Sequence, residues 1–286
     1  MRQTYLRQFC VAIWYFVVVT GTIAVPSWAQ IEVIQSADTQ QVFAGSGKMI
    51  PVVFHNRTNQ IFAGEIHARL LQASSTTTVT LKEVPWKNVE VLPGQTVLES
   101  APVDFPGVNA ATKFFIQWIA ATNRVVGRTQ VLVYPTNLLS ELKPLIGGEV
   151  FGVLDPNNEI KPLLKLNGVE FLDLEATTLE DFRGKLAIIG PFESTQQMRE
   201  GLAQTIQKIA AQGVNVIWLQ PPPSPRDEPK PSFYVVPGTK AAVVIVQPDL
   251  VAHFSENPKA QLNLIYFCKL ALNPVPCSLP NSPHQQ

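Results

Sequence analysis

Residues 184–220, reading GKLAIIGPFESTQQMREGLAQTIQKIAAQGVNVIWLQ, constrain the fold more than any other stretch of the chain. The apolar run at 186–190 shows no polar alternation, the pattern of a strand buried on both faces. Ser194 can cap the element that follows, and Gln197, three residues on, completes a capping-box pattern. Met198, Leu202, Ile206 and Ile209 then recur at helical spacing, and Gly213 stands where a left-handed C-cap belongs. A second buried run, 214–219, closes a β-α-β unit. Strands joined in this way lie parallel, with a right-handed crossover.

The same alternation of elements extends to both sides. A first strand is predicted at 149–154, a short helix at 162–166 ending at Asn167-Gly168, a second strand at 169–174 and a helical turn at 179–182. Residues 241–246 form another buried run, and Asn257-Pro258 reads as N-cap plus first helical residue of a helix through Leu272. Between them, 221–231 (PPPSPRDEPKP) is polyproline-prone with no apolar face to bury, and is expected as an exposed loop within this domain.

Upstream the period changes from helical to two. Ile50, Val52 and Phe54 alternate, as do Ile66, Ala68 and Leu70, then Phe114, Ile116 and Trp118, then Thr129, Val131 and Val133. Turn signals such as Gly45-Ser-Gly47 and Pro93-Gly94 separate them. Short alternating strands predict an antiparallel sandwich, immunoglobulin-like in architecture but without the cysteine pair of antibody domains. Trp118 shares a face with Phe114 and Ile116 and reads as core. The expected division is a signal peptide at 1–29, an all-β immunoglobulin-like sandwich at 30–135 and a linker at 136–148. A mostly parallel α/β domain at 149–273 and a Pro-rich tail at 274–286 complete it.

The N-terminus specifies a compartment. Arg2 and Arg7 precede an apolar core at 9–25, and Ser27-Trp28-Ala29 puts small residues at −3 and −1, a signal peptide cleaved before Gln30. The rival is an uncleaved anchor, since the apolar run approaches the roughly 17-residue lower limit for a span. Export predicts a periplasmic, cell-envelope or extracellular protein, and an oxidising compartment favours a disulfide between Cys268 and Cys277. The 22 basic and 22 acidic side chains balance, so no electrostatic footprint for nucleic acid is present.

Residues Thr178-Leu-Glu-Asp-Phe-Arg-Gly-Lys-Leu-Ala-Ile-Ile-Gly190, with Gly213-Val-Asn-Val-Ile-Trp-Leu219 and the strand-and-helix stretch 234–272, resemble class I glutamine-amidotransferase-like α/β domains. The resemblance covers about 149–272 and implies a flavodoxin/amidotransferase-like sheet. Such domains also stand beside immunoglobulin-like sandwiches in exported proteins, often without activity. The chain departs from the catalytic family at the nucleophile: the Gly-x-Cys-x-Gly elbow is absent, and no cysteine lies between Cys10 and Cys268. Amidotransferase chemistry is therefore not implied.

Other chemistry finds little support. Ala44-Gly-Ser-Gly47 displaces the glycines of a serine-hydrolase elbow, and Gly47-Lys48-Met49 lacks the Ser/Thr of a phosphate loop. His55, His67, His253 and His284 lack metal-ligand spacing. His67 alternates onto one face with Glu65 and Arg69, an ordinary solvated strand face. Asn56-Arg57-Thr58 fits a glycosylation acceptor. One constellation remains: Asp155, Glu175, Glu193, Ser194 and Asp249 all follow predicted strands, on the rim where open α/β sheets bind ligands. They are candidates for a polar-ligand or cation site, or else ordinary helix-start residues favoured by the helix dipole.

No cofactor is implied. The expected function is non-catalytic interaction with a protein or glycan at the cell envelope, with no nucleic-acid partner and no stable membrane span once the signal peptide is cleaved. For a glycan, Trp118 and Trp218 read as core, leaving Trp86 and Phe105 as candidate platforms. The alternatives are a hydrolase using the acidic rim and a periplasmic domain of a membrane-tethered assembly.

Overall fold

The computed structural model describes residues 31–74, 76–120, 123–223, 231–237 and 240–273. The segment expected to be a signal peptide, most of the Pro-rich excursion, and the tail with Cys277 lie outside the described residues. No helix among the described residues is long and apolar enough to cross a membrane.

Eight strands come first: β1 (Ile31–Ile34), β2 (Gln40–Phe43), β3 (Met49–Asn56), β4 (Phe62–Ala73), β5 (Thr78–Val91), β6 (Thr96–Pro102), β7 (Thr112–Ala120) and β8 (Arg124–Tyr134). They form a three-stranded sheet, β1-β3-β6, and a five-stranded sheet, β2-β8-β7-β4-β5. All pairings are antiparallel except β2 with β8, which is parallel. The alternating residues of the sequence face one shared core: Ile50, Val52 and Phe54 from one sheet meet Ile66, Phe114, Ile116, Trp118, Val131 and Val133 from the other. Trp118 is fully buried, and its indole N–H donates to Thr129 Oγ1 at 2.9 Å. Gly127 lets β1 approach β8, because a Cβ there would stand 2.4 Å from the Cβ of Val33.

A 3-10 turn (Leu138–Glu141) and α1 (Leu142–Ile146) lead into β9 (Phe151–Leu154), α2 (Lys161–Leu166), β10 (Leu172–Asp173), β11 (Leu186–Ile189), α3 (Leu202–Gln212), β12 (Asn215–Leu219), β13 (Phe233–Pro237), β14 (Ala242–Val246) and α4 (Pro258–Leu272). The sheet order is β10-β9-β11-β12-β14-β13. Its first five strands run parallel, and β13 is an antiparallel edge strand that the sequence pattern missed. β11 and β12 are neighbouring parallel strands, as the β-α-β pattern predicts. Residues of one strand alternate between two cores: Leu186 and Ile188 join α1, α2 and α4, whereas Ala187 and Ile189 join α3.

The predicted linker at 136–148 is not a free joint. Leu138, Leu139, Leu142 and Ile146 are buried in the core under α4, together with Phe43 and Tyr134 from the end of the five-stranded sheet. Burial raises the Tyr134 phenol above its ordinary pKa.

Three local expectations are corrected. The helix expected from Ser194 starts only at Leu202, behind Gly201 at φ 79. Ser194 instead precedes a 3-10 turn (Thr195–Gln197) and makes no capping bond. The second strand shrinks to Leu172–Asp173, because Val169 turns back to close α2, its N–H donating to Leu164 O at 2.9 Å. Asn56 is no glycosylation acceptor. It is wholly buried, its amide hydrogens donate to Gln60 O at 2.8 Å and Val91 O at 2.9 Å, and its Oδ1 accepts from Thr58 N and Oγ1.

Candidate functional site

β9 and β11 are neighbours in the sheet, yet the chain between them visits β10 on the far side of β9. This is the point where the strand order reverses, and open α/β sheets place ligand crevices outside the carboxyl ends of such strands. The rim here is built from the segment after Leu154 and the segment after Ile189. Gly190, at φ 99, turns the second one; a Cβ there would meet Leu219 O at 2.5 Å.

Asp155 is fully buried at the head of the first segment. The residue directly ahead of α2 is Ile160, which has no side-chain acceptor for the free N–H groups of the first turn. Asp155 fills that role from upstream. Its Oδ1 accepts from Glu159 N at 3.2 Å, and its Oδ2 accepts from Ile160 N at 2.8 Å and Lys161 N at 2.9 Å.

Glu175 belongs to the same assembly. Its Oε1 accepts from Asp155 N at 3.1 Å and from the Lys161 ammonium. The ammonium also lies 2.8 Å from Asp173 Oδ1, which in turn accepts from Glu175 N at 2.9 Å. Lys161 is only 5% exposed, and a buried ammonium persists only if paired and hydrogen-bonded. Burial pushes its pKa down, but the hydrogen bonds to Asp173 and Glu175 outweigh this and hold it above the usual lysine value. The Lys161 hydrogen bond, helped by Glu175 N–H, holds the Asp173 carboxyl below the usual range.

Across the crevice runs a latch of side-chain amides. Gln197 Nε2 donates to Asn157 Oδ1 at 3.1 Å, Asn157 Nδ2 donates to Pro191 O at 3.4 Å, and Gln197 Oε1 accepts from Glu193 N at 2.7 Å. Gln197, expected to complete a capping box with Ser194, is engaged one residue earlier. Above the latch, partial burial raises the Glu159 carboxyl pKa, reinforced by the Asp155 and Glu193 charges and opposed by His253.

Of the five predicted rim residues, Asp155 and Glu175 are joined directly. Glu193 stands at the latch with its side chain exposed, Ser194 is half-buried beside it, and Asp249 is exposed in the 3-10 turn Pro248–Leu250. Lys161, Asp173, Asn157 and Gln197 were not foreseen. The signal available for Asp155 was Ile160: a helix opening on an apolar residue requires a cap from elsewhere. Among the described residues no group of three His, Cys, Asp or Glu side chains is placed to hold a metal ion.

The remaining sequence candidates resolve simply. Cys268 is a free thiol, fully buried on the core-facing side of α4, and burial pushes its pKa far up. The disulfide expected with Cys277 is not supported by this placement, and Cys277 lies outside the described residues. Trp86 is half-buried, 5.1 Å from Trp118 between ring centroids, and Phe105 is buried against Phe114 at 5.6 Å, so neither is an open platform. Trp218 is half-buried against the α3 core rather than enclosed, with its Nε1 buried and unpartnered. His67 lies 3.4 Å from Glu65 and 3.6 Å from Glu83, on the solvated face expected.

No protein-family model and no curated protein matches the chain. Among solved structures it is similar over part of its length to an alkylpurine DNA glycosylase, AlkC, of Pseudomonas fluorescens (7% identity, TM-score 0.29, 37% of this chain and 31% of that one). It is similar also to Spo0M, a sporulation control protein of Bacillus subtilis (11%, 0.28, 41% and 56%). A third likeness is to FlaG, an archaellum periplasmic stator protein of Sulfolobus acidocaldarius (10%, 0.23, 35% and 98%). The chain thus spans about a third to little more than half of the first two. At TM-scores this low the likenesses carry no functional argument.

Proposed function

We propose that the chain is an exported, non-catalytic protein that acts in protein or glycan interaction at the cell envelope. The single observation that carries this reading is the occupation of the rim: Asp155 caps α2, Glu175 and Asp173 neutralise Lys161, and an amide latch ties the crevice edges together. Asp155, Glu175 and Asp173 thus serve a helix start and a buried ammonium, a structural use of the rim carboxylates. In this reading the eight-stranded part is an immunoglobulin-like domain and the remainder a flavodoxin/amidotransferase-like domain. Two observations support it: two facing sheets on one core, and parallel strands in the order second-first-third-fourth-fifth. Partners are a protein or glycan rather than nucleic acid, given the balanced charge.

The test is a double variant, Glu193→Gln with Asp249→Asn, assayed for polysaccharide and peptide hydrolysis and for thermal stability. Unchanged behaviour in every assay is expected. A turnover present in the wild type and lost in the variant would establish the hydrolase reading instead. N-terminal sequencing of exported protein is expected to begin at Gln30; an intact N-terminus would favour the membrane-tethered alternative.

A further inference from the structure

The outer face of the five-stranded sheet carries a feature that the rim does not explain. In the register of β7 and β8, Phe115 lies opposite Gln130 and Gln117 opposite Arg128. The half-exposed Phe115 ring is approached by the Arg128 guanidinium, 5.8 Å from its centroid, a weak exposed contact that a ligand can displace. The crossing from β1 to β2, residues 35–39, stands over this surface and is pinned to it by Gln130 Nε2 donating to Thr39 Oγ1 at 3.2 Å. Beneath it lies a cleft of about 700 Å³ whose charged lining groups are Asp38 and Arg128. A second depression, of about 320 Å³, shares Phe115 and Arg128 and opens over Thr78, Thr80 and Arg69 on β4 and β5. Arg69 is already neutralised by Glu83 at 2.7 Å. Joined at Phe115 and Arg128, the two form a trough across β8, β7, β4 and β5, roughly 14 Å at the usual strand spacing.

The chemistry of this trough is balanced. Asp38 offsets Arg128 and Glu83 offsets Arg69, so nothing in it selects for an ion. Amides, hydroxyls, a carboxylate and a guanidinium together offer donors and acceptors in quantity, around one aromatic face. A hydroxyl-rich ligand both donates and accepts, and its ring C–H groups pack against an aromatic side chain.

We infer that the trough binds a neutral oligosaccharide chain, with a ring packed on Phe115 and hydroxyls hydrogen-bonded by Arg128, Gln117 and Gln130. This rests on the interaction reading above and names its ligand class and its face. The face is not the one expected from Trp86 and Phe105, which are turned into the core.

The experiment is affinity electrophoresis of the full chain through gels containing laminarin, xylan or soluble chitin oligosaccharides, with alginate as the polyanionic control. Retardation by at least one neutral polymer is expected, unchanged at 0.5 M salt. Phe115→Ala and Arg128→Ala are each expected to weaken it tenfold or more at unchanged Tm. Retardation by alginate alone, abolished by salt, would overturn the inference by making the face an anion site. So would neutral binding that both variants retain, or no binding to any polymer. Those outcomes leave the non-catalytic reading to its own test, whereas a polysaccharide cleaved by the wild type and spared by the Glu193→Gln, Asp249→Asn variant would remove both.

Discussion

Lys161 is the residue through which the rim holds together, and its charge makes stability depend on pH. Asp173, its partner, has a folded-state pKa below the unfolded value of about 3.9. Its contribution is therefore present above the unfolded value and is lost as pH falls through the folded one. Lys161 is shifted the other way, so its share is present below the ordinary lysine value and is lost as pH rises through the raised one. The pair acts fully between about pH 5 and 10. Because the Asp173 side chain is 45% exposed, the effect is modest. Replacing Asp173→Asn is expected to flatten the acid limb of the urea midpoint measured against pH; an unchanged acid limb would exclude the linkage. At Cys268, alkylation followed by mass spectrometry is expected to find no label in the folded chain and full label in urea. Protection in urea without reductant would show a disulfide.

Among the elements, what could be read from the sequence follows from how burial is patterned. Ile50, Val52 and Phe54 alternate because β3 has one wet face and one dry face, and the run at 186–189 is apolar throughout because β11 is covered on both sides. Such strands declare themselves locally. Pairings across the chain do not: Lys161 reaches Glu175 over fourteen residues and Gln197 reaches Asn157 over forty, with no periodicity to mark either. The late start of α3 has the same cause, since Gln197 is claimed by the latch and Gly201 breaks the helical run before Leu202. The segment at 136–148 misled for another reason. Its position between two patterns suggested a joint, while Leu138, Leu139, Leu142 and Ile146 are spaced to bury one helical face. Leu139→Ala and Leu142→Ala are each expected to cost about 2–5 kcal/mol in urea unfolding. A cost near zero would mean that this segment is a loose connection.

For the molecule as a whole, two facing β-sheets and a wound parallel sheet meet in a core to which Phe43 and Tyr134 contribute from one side and α4 from the other. The carboxyl rim of the parallel sheet, where enzymes of this architecture place their chemistry, is here occupied by capping and charge compensation. Residues kept for chemistry generally reduce stability, so replacing them raises it; residues kept for structure behave in the opposite way. Equilibrium urea unfolding of Asp155→Ala beside Glu193→Gln separates the two. Loss of the Asp155 carboxylate takes the acceptor from the N–H groups of Glu159, Ile160 and Lys161 at the start of α2 and is predicted to lower stability by about 2 kcal/mol, with Glu193→Gln unchanged. A gain in stability on replacing Asp155 would contradict this, and would mark the rim as a working active site.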